Sequence, residues 1–163
     1  LIAGLTSDTV AGFEETLRKV IALAPENITV HTLSLKKGSR ITLEGSVLPT
    51  AAEVGRMLDI AGAALRESGY SPYYLYRQKF MSGGFENVGW TMDGYINLYN
   101  VCIMEELCSI IAVGGGGSTK LVSAGSGRNI RLFAPKYPTE YISGIEKTCS
   151  DKQGIIDFYR KVK

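Results

Sequence analysis

Four consecutive glycines, Gly114 to Gly117, lead into Ser118, Thr119 and Lys120 and lie between two apolar runs, Ile110–Val113 and one beginning at Leu121. Lacking side chains, they leave main-chain N–H and C=O groups open to close approach by a ligand. Ordering such a run is costly in conformational entropy, so an ordered loop here implies compensating contacts. The same composition also describes a flexible linker. Linkers normally separate polar, domain-bounding segments, whereas this run separates strand-like ones, which favours a ligand-contacting or tight-turn loop. Sulfur and imidazole chemistry is less well provided for. Cys102, Cys108 and Cys149 lack the short spacings of a zinc ribbon or an iron–sulfur loop. Reduced, mostly buried thiols in a cytoplasmic protein are the expectation. The single histidine, His31, is too few for most histidine metal sites and makes a Ser-His-Asp triad remote.

The bulk properties narrow the class. At 163 residues the chain can bury a core without disulfides or metals, and its 45% hydrophobic content is that of an ordinary globular interior. A mean hydropathy of +0.05 agrees. The net charge of +2 gives no reason to expect a nucleic-acid partner, and no apolar run nears the roughly 20 residues of a membrane span. The chain opens on Leu1, without methionine and directly in an apolar run. We read it as a piece of a longer protein.

The elements that must carry these residues follow from periodicity. Leu1–Leu5 reads as a buried strand. Ser7 or Asp8 caps a helix in which Val10, Phe13, Leu17, Val20, Ile21 and Ala24 form one apolar face, ending near Leu23 before Pro25. Ile28–Leu35 alternates and is β-branched, a strand. Lys36, Lys37 and Arg40 make a basic loop after it. Thr50 and Glu53 spell a capping box for a helix buried through Val54, Leu58, Ala61 and Leu65 and closed by Gly69. Tyr73–Phe80 is an aromatic strand. Val88–Tyr99 fits no single period, and a short helix is expected over Val101–Leu107. Strands are expected at Ser109–Val113, Lys120–Ser123 and Ile130–Phe133, with a hairpin turn at residues 125–128. Helices are expected at Thr139–Thr148 and Lys152–Val162. The β-α-β-α-β order predicts an α/β layer with parallel strands.

Four blocks taken together carry a resemblance: residues 1–40 (LIAGLTSDTVAGFEETLRKVIALAPENITVHTLSLKKGSR), 69–90 (GYSPYYLYRQKFMSGGFENVGW), 98–122 (LYNVCIMEELCSIIAVGGGGSTKLV) and, more weakly, 131–142 (RLFAPKYPTEYI). The chain resembles the second half of the oxygen-independent coproporphyrinogen III oxidase-like radical S-adenosylmethionine proteins, of the coproporphyrinogen dehydrogenase subgroup. Two departures stand out. The family's Gly-Leu-Pro-Gly is Gly4-Leu5-Thr6-Ser7 here, and its mixed Gly/Ala run is four glycines. The family's Cys-x3-Cys-x2-Cys loop, which holds a four-iron, four-sulfur cluster, is absent.

The resemblance implies an α/β fold: the C-terminal half of a radical SAM (β/α) barrel over 1–135, containing a β-rich segment, followed by a helical C-terminal tail over 136–163. It implies a parent enzyme of haem biosynthesis that uses S-adenosylmethionine and a 4Fe-4S cluster to convert coproporphyrinogen III propionates oxidatively into vinyl groups. The chain by itself is then expected to be inactive. Cofactor positions implied are His31, Ser34 and the loop Gly114, Gly115, Gly116, Gly117 and Ser118; for His31 a hydrogen-bonded core or rim position is an equal alternative. The tetrapyrrole substrate carries four carboxylates, so cations should line its pocket. Tyr76, Arg77, Gln78 and Asn87 are the expected substrate residues, with Lys36, Lys37 and Arg40 a weaker basic set. Strand alternation puts Tyr74, Tyr76 and Gln78 on one face and Tyr73, Leu75 and Arg77 on the other, so only part of this segment faces one ligand. No nucleic-acid or membrane partner is expected, and the open edge of a half-barrel offers a route to a homo-oligomer. Two rivals remain: a haem chaperone or radical methyltransferase of the same superfamily, and a non-catalytic small-ligand or protein-interaction domain.

Overall fold

The computed structural model describes residues 1–35, 39–77, 82–123 and 129–161. The described chain forms two compact units, Leu1–Leu98 and Tyr99–Lys163. The expected boundary after residue 135 falls inside the second unit.

In the first unit β1 (Ile2–Ala3) is followed by α1 (Val10–Ala22), β2 (Asn27–Thr32), a single helical turn α2 (Arg40–Leu43), α3 (Ala51–Glu67), β3 (Ser71–Tyr76) and β4 (Asn87–Thr91). β1 is shorter than expected because Gly4, at φ +86°, turns the chain out of the extended region. Thr9 rather than Ser7 or Asp8 caps α1: its side chain accepts from the Gly12 N–H at 3.0 Å, while Ser7 sits at φ +63° in the preceding turn. The capping box of α3 forms as read, with Thr50 Oγ1 accepting from the Glu53 N–H and the Glu53 carboxylate accepting from the Thr50 N–H at 2.8 Å.

The sheet order is β1-β2-β4-β3. β1 and β2 are parallel, but β4 runs antiparallel to both its neighbours. This corrects the expected all-parallel layer. The β3–β4 connection is too short for a crossover helix, so those two strands can only return on each other. One face of the sheet meets α1 and α3, and there Ala3, Ile28, Val30 and Trp90 pack with Phe13, Leu17, Val54, Met57, Ala61 and Leu65. Tyr70 closes the end of this core, its hydroxyl donating to the Pro25 carbonyl at 2.6 Å.

The second unit holds all but the first residue of α4 (Leu98–Met104), the hairpin β5 (Ser118–Val122) and β6 (Asn129–Phe133), and three short helices, α5 (Pro138–Ser143), α6 (Ile145–Asp151) and α7 (Gln153–Lys161). The expected strand Ser109–Val113 reduces to one bridge between Ile110 and Lys120. The ladder stops because the Ala112 N–H is taken by the Thr119 side chain at 3.0 Å instead of a backbone carbonyl. The helix expected at Thr139–Thr148 is two, broken at Gly144, which ends α5 and starts α6. The expected turn at residues 125–128 lies outside the described residues. Cys108 and Cys149 are exposed and Cys102 half-buried, so the expectation of mostly buried thiols does not hold.

Candidate functional site

Alternation along β2 sends Ile28, Val30 and Thr32 into the core and leaves Asn27, Thr29 and His31 on the opposite face of the sheet. Register then decides what joins them. Thr29 lies opposite Gly89 of β4, which lies opposite Tyr74 of β3. Tyr76 lies opposite Asn87. Because β4 presents small or short side chains on this face, the two tyrosines of the edge strand reach across it to β2. The Tyr74 hydroxyl meets Thr29 Oγ1 at 3.0 Å, and the Tyr76 hydroxyl meets His31 Nδ1 at 3.2 Å. The two phenol rings are near-parallel, 6.3 Å apart at 10°, and the His31 ring stands edge-on to Tyr76. The result is a ladder of two tyrosine rungs, each hydrogen-bonded to β2, with aromatic faces bordered by one imidazole and the phenol hydroxyls.

Burial holds the His31 pKa below its ordinary value. A neutral imidazole can accept the Tyr76 hydroxyl proton at Nδ1, so the lowered pKa and the observed contact agree.

The other expected residues of this unit are distributed differently. Asn87 is almost fully enclosed, and its Oδ1 accepts from the Thr32 N–H at 2.7 Å. That bond extends the β2–β4 ladder by a side chain, so the carbonyl oxygen is committed to the fold. Arg77, beyond the end of β3, pairs with Glu86 at 3.2 Å and is mostly exposed. An anion would therefore compete with Glu86 for it. Ser34 sits just past β2 in an isolated bridge. Gln78, Lys36 and Lys37 lie outside the described residues; Arg40 pairs with Glu44 along α2 at 3.0 Å. Tyr74, Thr29 and Gly89 were not among the expected site residues. Alternation had placed Tyr74 beside Tyr76, but only the register across β4 shows what it touches.

In the second unit the glycine run is an ordered turn. Gly114 (φ +94°) and Gly116 (φ +73°) occupy the left-handed region that favours glycine. The Gly117 N–H donates to the Gly114 carbonyl at 3.2 Å, and the Gly116 N–H to the Pro135 carbonyl at 2.7 Å. The Gly117 carbonyl accepts from the Ala134 N–H at 2.9 Å. These bonds compensate the entropy of ordering the run and rule for the tight turn over the linker. At its exit the Ser118 hydroxyl is buried without a hydrogen-bond partner, an unusual state that a bound polar group would relieve. Lys120 is nearly buried and pairs with Glu106, which also accepts from the Asn129 side-chain amide. The Lys120 hydrogen bond is the main cause holding the Glu106 carboxyl below its usual range. Among the described residues no three His, Cys, Asp or Glu side chains gather to hold a metal ion.

No protein-family model matches the chain. It is 39% identical over 154 residues to the oxygen-independent coproporphyrinogen-III oxidase-like protein HemZ of Bacillus subtilis (strain 168), a match covering 93% of this chain and 31% of that protein. The fold is similar to that of the coproporphyrinogen III oxidase HemN from Escherichia coli, described as a radical SAM enzyme, with a TM-score of 0.60 at 15% identity over 90% of this chain and 33% of that one. The chain thus spans about a third of the length of each. The resemblance read from the four sequence blocks holds: over nearly its whole length this chain is similar to a segment of an oxygen-independent coproporphyrinogen-III oxidase-like protein.

Proposed function

We propose that this chain is the C-terminal part of a radical S-adenosylmethionine enzyme that converts propionate side chains of coproporphyrinogen III oxidatively into vinyl groups, and that its sheet belongs to a partial (β/α) barrel. The observation that carries the reading is the 39% identity over nearly the whole chain to an oxidase-like protein. The 4Fe-4S cluster does not fit here: among the described residues no donor set exists for it, and the reading assigns it to sequence outside this chain. For S-adenosylmethionine the support is the open glycine turn and the unpartnered Ser118 hydroxyl; when bound it would supply the hydrogen-abstracting chemistry.

The chain's own residues bind and orient. Gly114–Gly117 allow close main-chain approach, and the unpartnered Ser118 hydroxyl offers one hydrogen bond to a polar group of the cofactor. His31 and Ser34 are the second cofactor position. On the sheet, Tyr76 and the ladder it shares with Tyr74 give a flat apolar surface for a tetrapyrrole ring. Arg77 would receive a propionate by exchanging it for Glu86, and Gln78 stands next to it in sequence. Asn87 acts by holding β2 and β4 in register.

The test uses the whole protein that contains this segment, reconstituted and assayed anaerobically for carbon dioxide release from coproporphyrinogen III. Turnover, with a raised KM in Arg77→Ala, supports the reading. Haem binding without decarboxylation would replace it by a chaperone role, and methyl transfer by a methyltransferase. For the loop, Gly115→Ala is the informative variant, since an added Cβ meets only ordinary contacts with Pro135 and Tyr141 at 3.5–3.6 Å. Gly116→Val would disturb the turn itself through its positive φ. Unchanged S-adenosylmethionine affinity in Gly115→Ala would remove the loop from the site.

A further inference from the structure

Tyr74 and Tyr76 stand in the same stack and differ in what their hydroxyls meet. Tyr74 Oη contacts Thr29 Oγ1 at 3.0 Å, whereas Tyr76 Oη contacts His31 Nδ1 at 3.2 Å. A threonine hydroxyl is no base at ordinary pH, but a neutral imidazole nitrogen is one. Among the described residues, His31 Nδ1 is the one hydrogen-bond partner of the Tyr76 hydroxyl. The difference matters for electron loss. A phenol that gives up an electron becomes strongly acidic, and unless its proton leaves, a positive charge is stranded on a half-buried ring. Tyr76 has an acceptor for that proton already in hydrogen-bond contact; Tyr74 has no such base among the described residues. The two rings lie near-parallel with centroids 6.3 Å apart, close enough to exchange an electron.

We propose that Tyr76 and His31 form a redox-active pair that takes up one oxidising equivalent from a one-electron oxidant of the free-radical or high-valent metal-complex class. The oxidant gains an electron from the Tyr76 phenol. The Oη–H bond breaks, and its proton moves along the existing hydrogen bond to His31 Nδ1. The products are a neutral phenoxyl on Tyr76, an imidazolium on His31 and the reduced oxidant. An electron vacancy created on Tyr74 passes to Tyr76 across the stack and rests there, since of these two rings Tyr76 is the one that sheds its proton to a base. Burial keeps His31 neutral near neutral pH and so ready to receive that proton. The inference stands on this geometry and is independent of the proposed decarboxylation.

The experiment takes the full chain with its cysteines alkylated, mixes it with hexachloroiridate(IV) at neutral pH and follows the loss of the oxidant's colour by stopped flow. The same mixture is freeze-quenched for electron paramagnetic resonance. The expected result is a rapid phase that leaves a phenoxyl radical. His31 is the single histidine, so isotope-labelled histidine reports on one residue, and the radical's spectrum should show coupling to an imidazole nitrogen. The rapid phase should vanish in Tyr76→Phe and persist in Tyr74→Phe. In His31→Gln, which keeps a hydrogen-bond acceptor but not a base, it should slow to the rate of free tyrosine. Circular dichroism checks the fold of each variant. A wild-type chain with no rapid phase, or with a radical that lacks the histidine coupling, overturns the proposal. So does a rapid phase that survives Tyr76→Phe or keeps its rate in His31→Gln. Because the coupling is read in the wild type, it decides the case even where a variant does not fold.

Discussion

A Cβ built on Gly89 would lie 1.9 Å from Cε1 of Tyr74, so any larger residue there must push the ring off the strand. Gly89→Ala therefore breaks the Tyr74–Thr29 hydrogen bond and loosens the ring's packing, a loss of about 1–3 kcal/mol by the usual cost of overpacking. Tyr74→Phe keeps the ring in place and removes only the hydroxyl, at about 1 kcal/mol. Urea denaturation of the two variants should rank them in that order; equal midpoints would mean that the ring does not need the glycine. The second rung adds a pH dependence. Folding lowers the His31 pKa, so between the folded and unfolded values the unfolded chain binds more protons. Stability is then greatest above the unfolded value near 6.5 and declines as pH falls through it towards the lower folded value. Denaturation midpoints from pH 8 down to 5 should fall more in the wild type than in His31→Gln.

At the scale of the element, legibility followed how local the determining contacts are. The capping box at Thr50 and Glu53 and the apolar faces of α1 and α3 lie within a few residues of one another, and those helices stand where the pattern put them. Thr50→Ala should cost about 1 kcal/mol, read as a lower thermal midpoint. Glu53 makes that contribution titrate: hydrogen bonds from the Thr50 backbone and side chain lower its pKa. The stabilisation is thus present above the unfolded carboxylate value and lost as pH falls through the folded one. β4 was less readable, since Gly89 and Asn87 make sense only opposite Tyr74 and Tyr76. The segment Ser109–Val113 has a strand's composition but not its ladder, because the Thr119 side chain competes for the Ala112 N–H. The site divides the same way. The glycine turn and the Tyr76 face were visible in the sequence, whereas the His31–Tyr76 contact and the commitment of Asn87 to Thr32 depend on pairing over 45 and 55 residues.

At the scale of the whole chain, the first unit leaves the edge of its helix-side face uncovered. Leu75 of β3 is 59% exposed, although its partner Val88 lines a largely apolar cavity of about 190 Å³ with Val30, Leu58, Ala61, Gly62, Trp90 and Glu86. α3 packs on β1 and β2, and among the described residues Leu75 stays open to solvent. β3 is also an edge strand, a position that invites pairing with another copy. Pro72 and the irregular register between Pro72 and Tyr74 blunt its first half, so association should run through Leu75 and the cavity mouth. The isolated chain is therefore expected to bind a solvatochromic apolar dye and to sediment as a concentration-dependent mixture. Leu75→Lys should shift that mixture towards monomer and reduce dye binding, with the far-ultraviolet circular dichroism unchanged. A wild-type chain that stays monomeric and dye-free at high concentration would show that this face is already satisfied within a single copy.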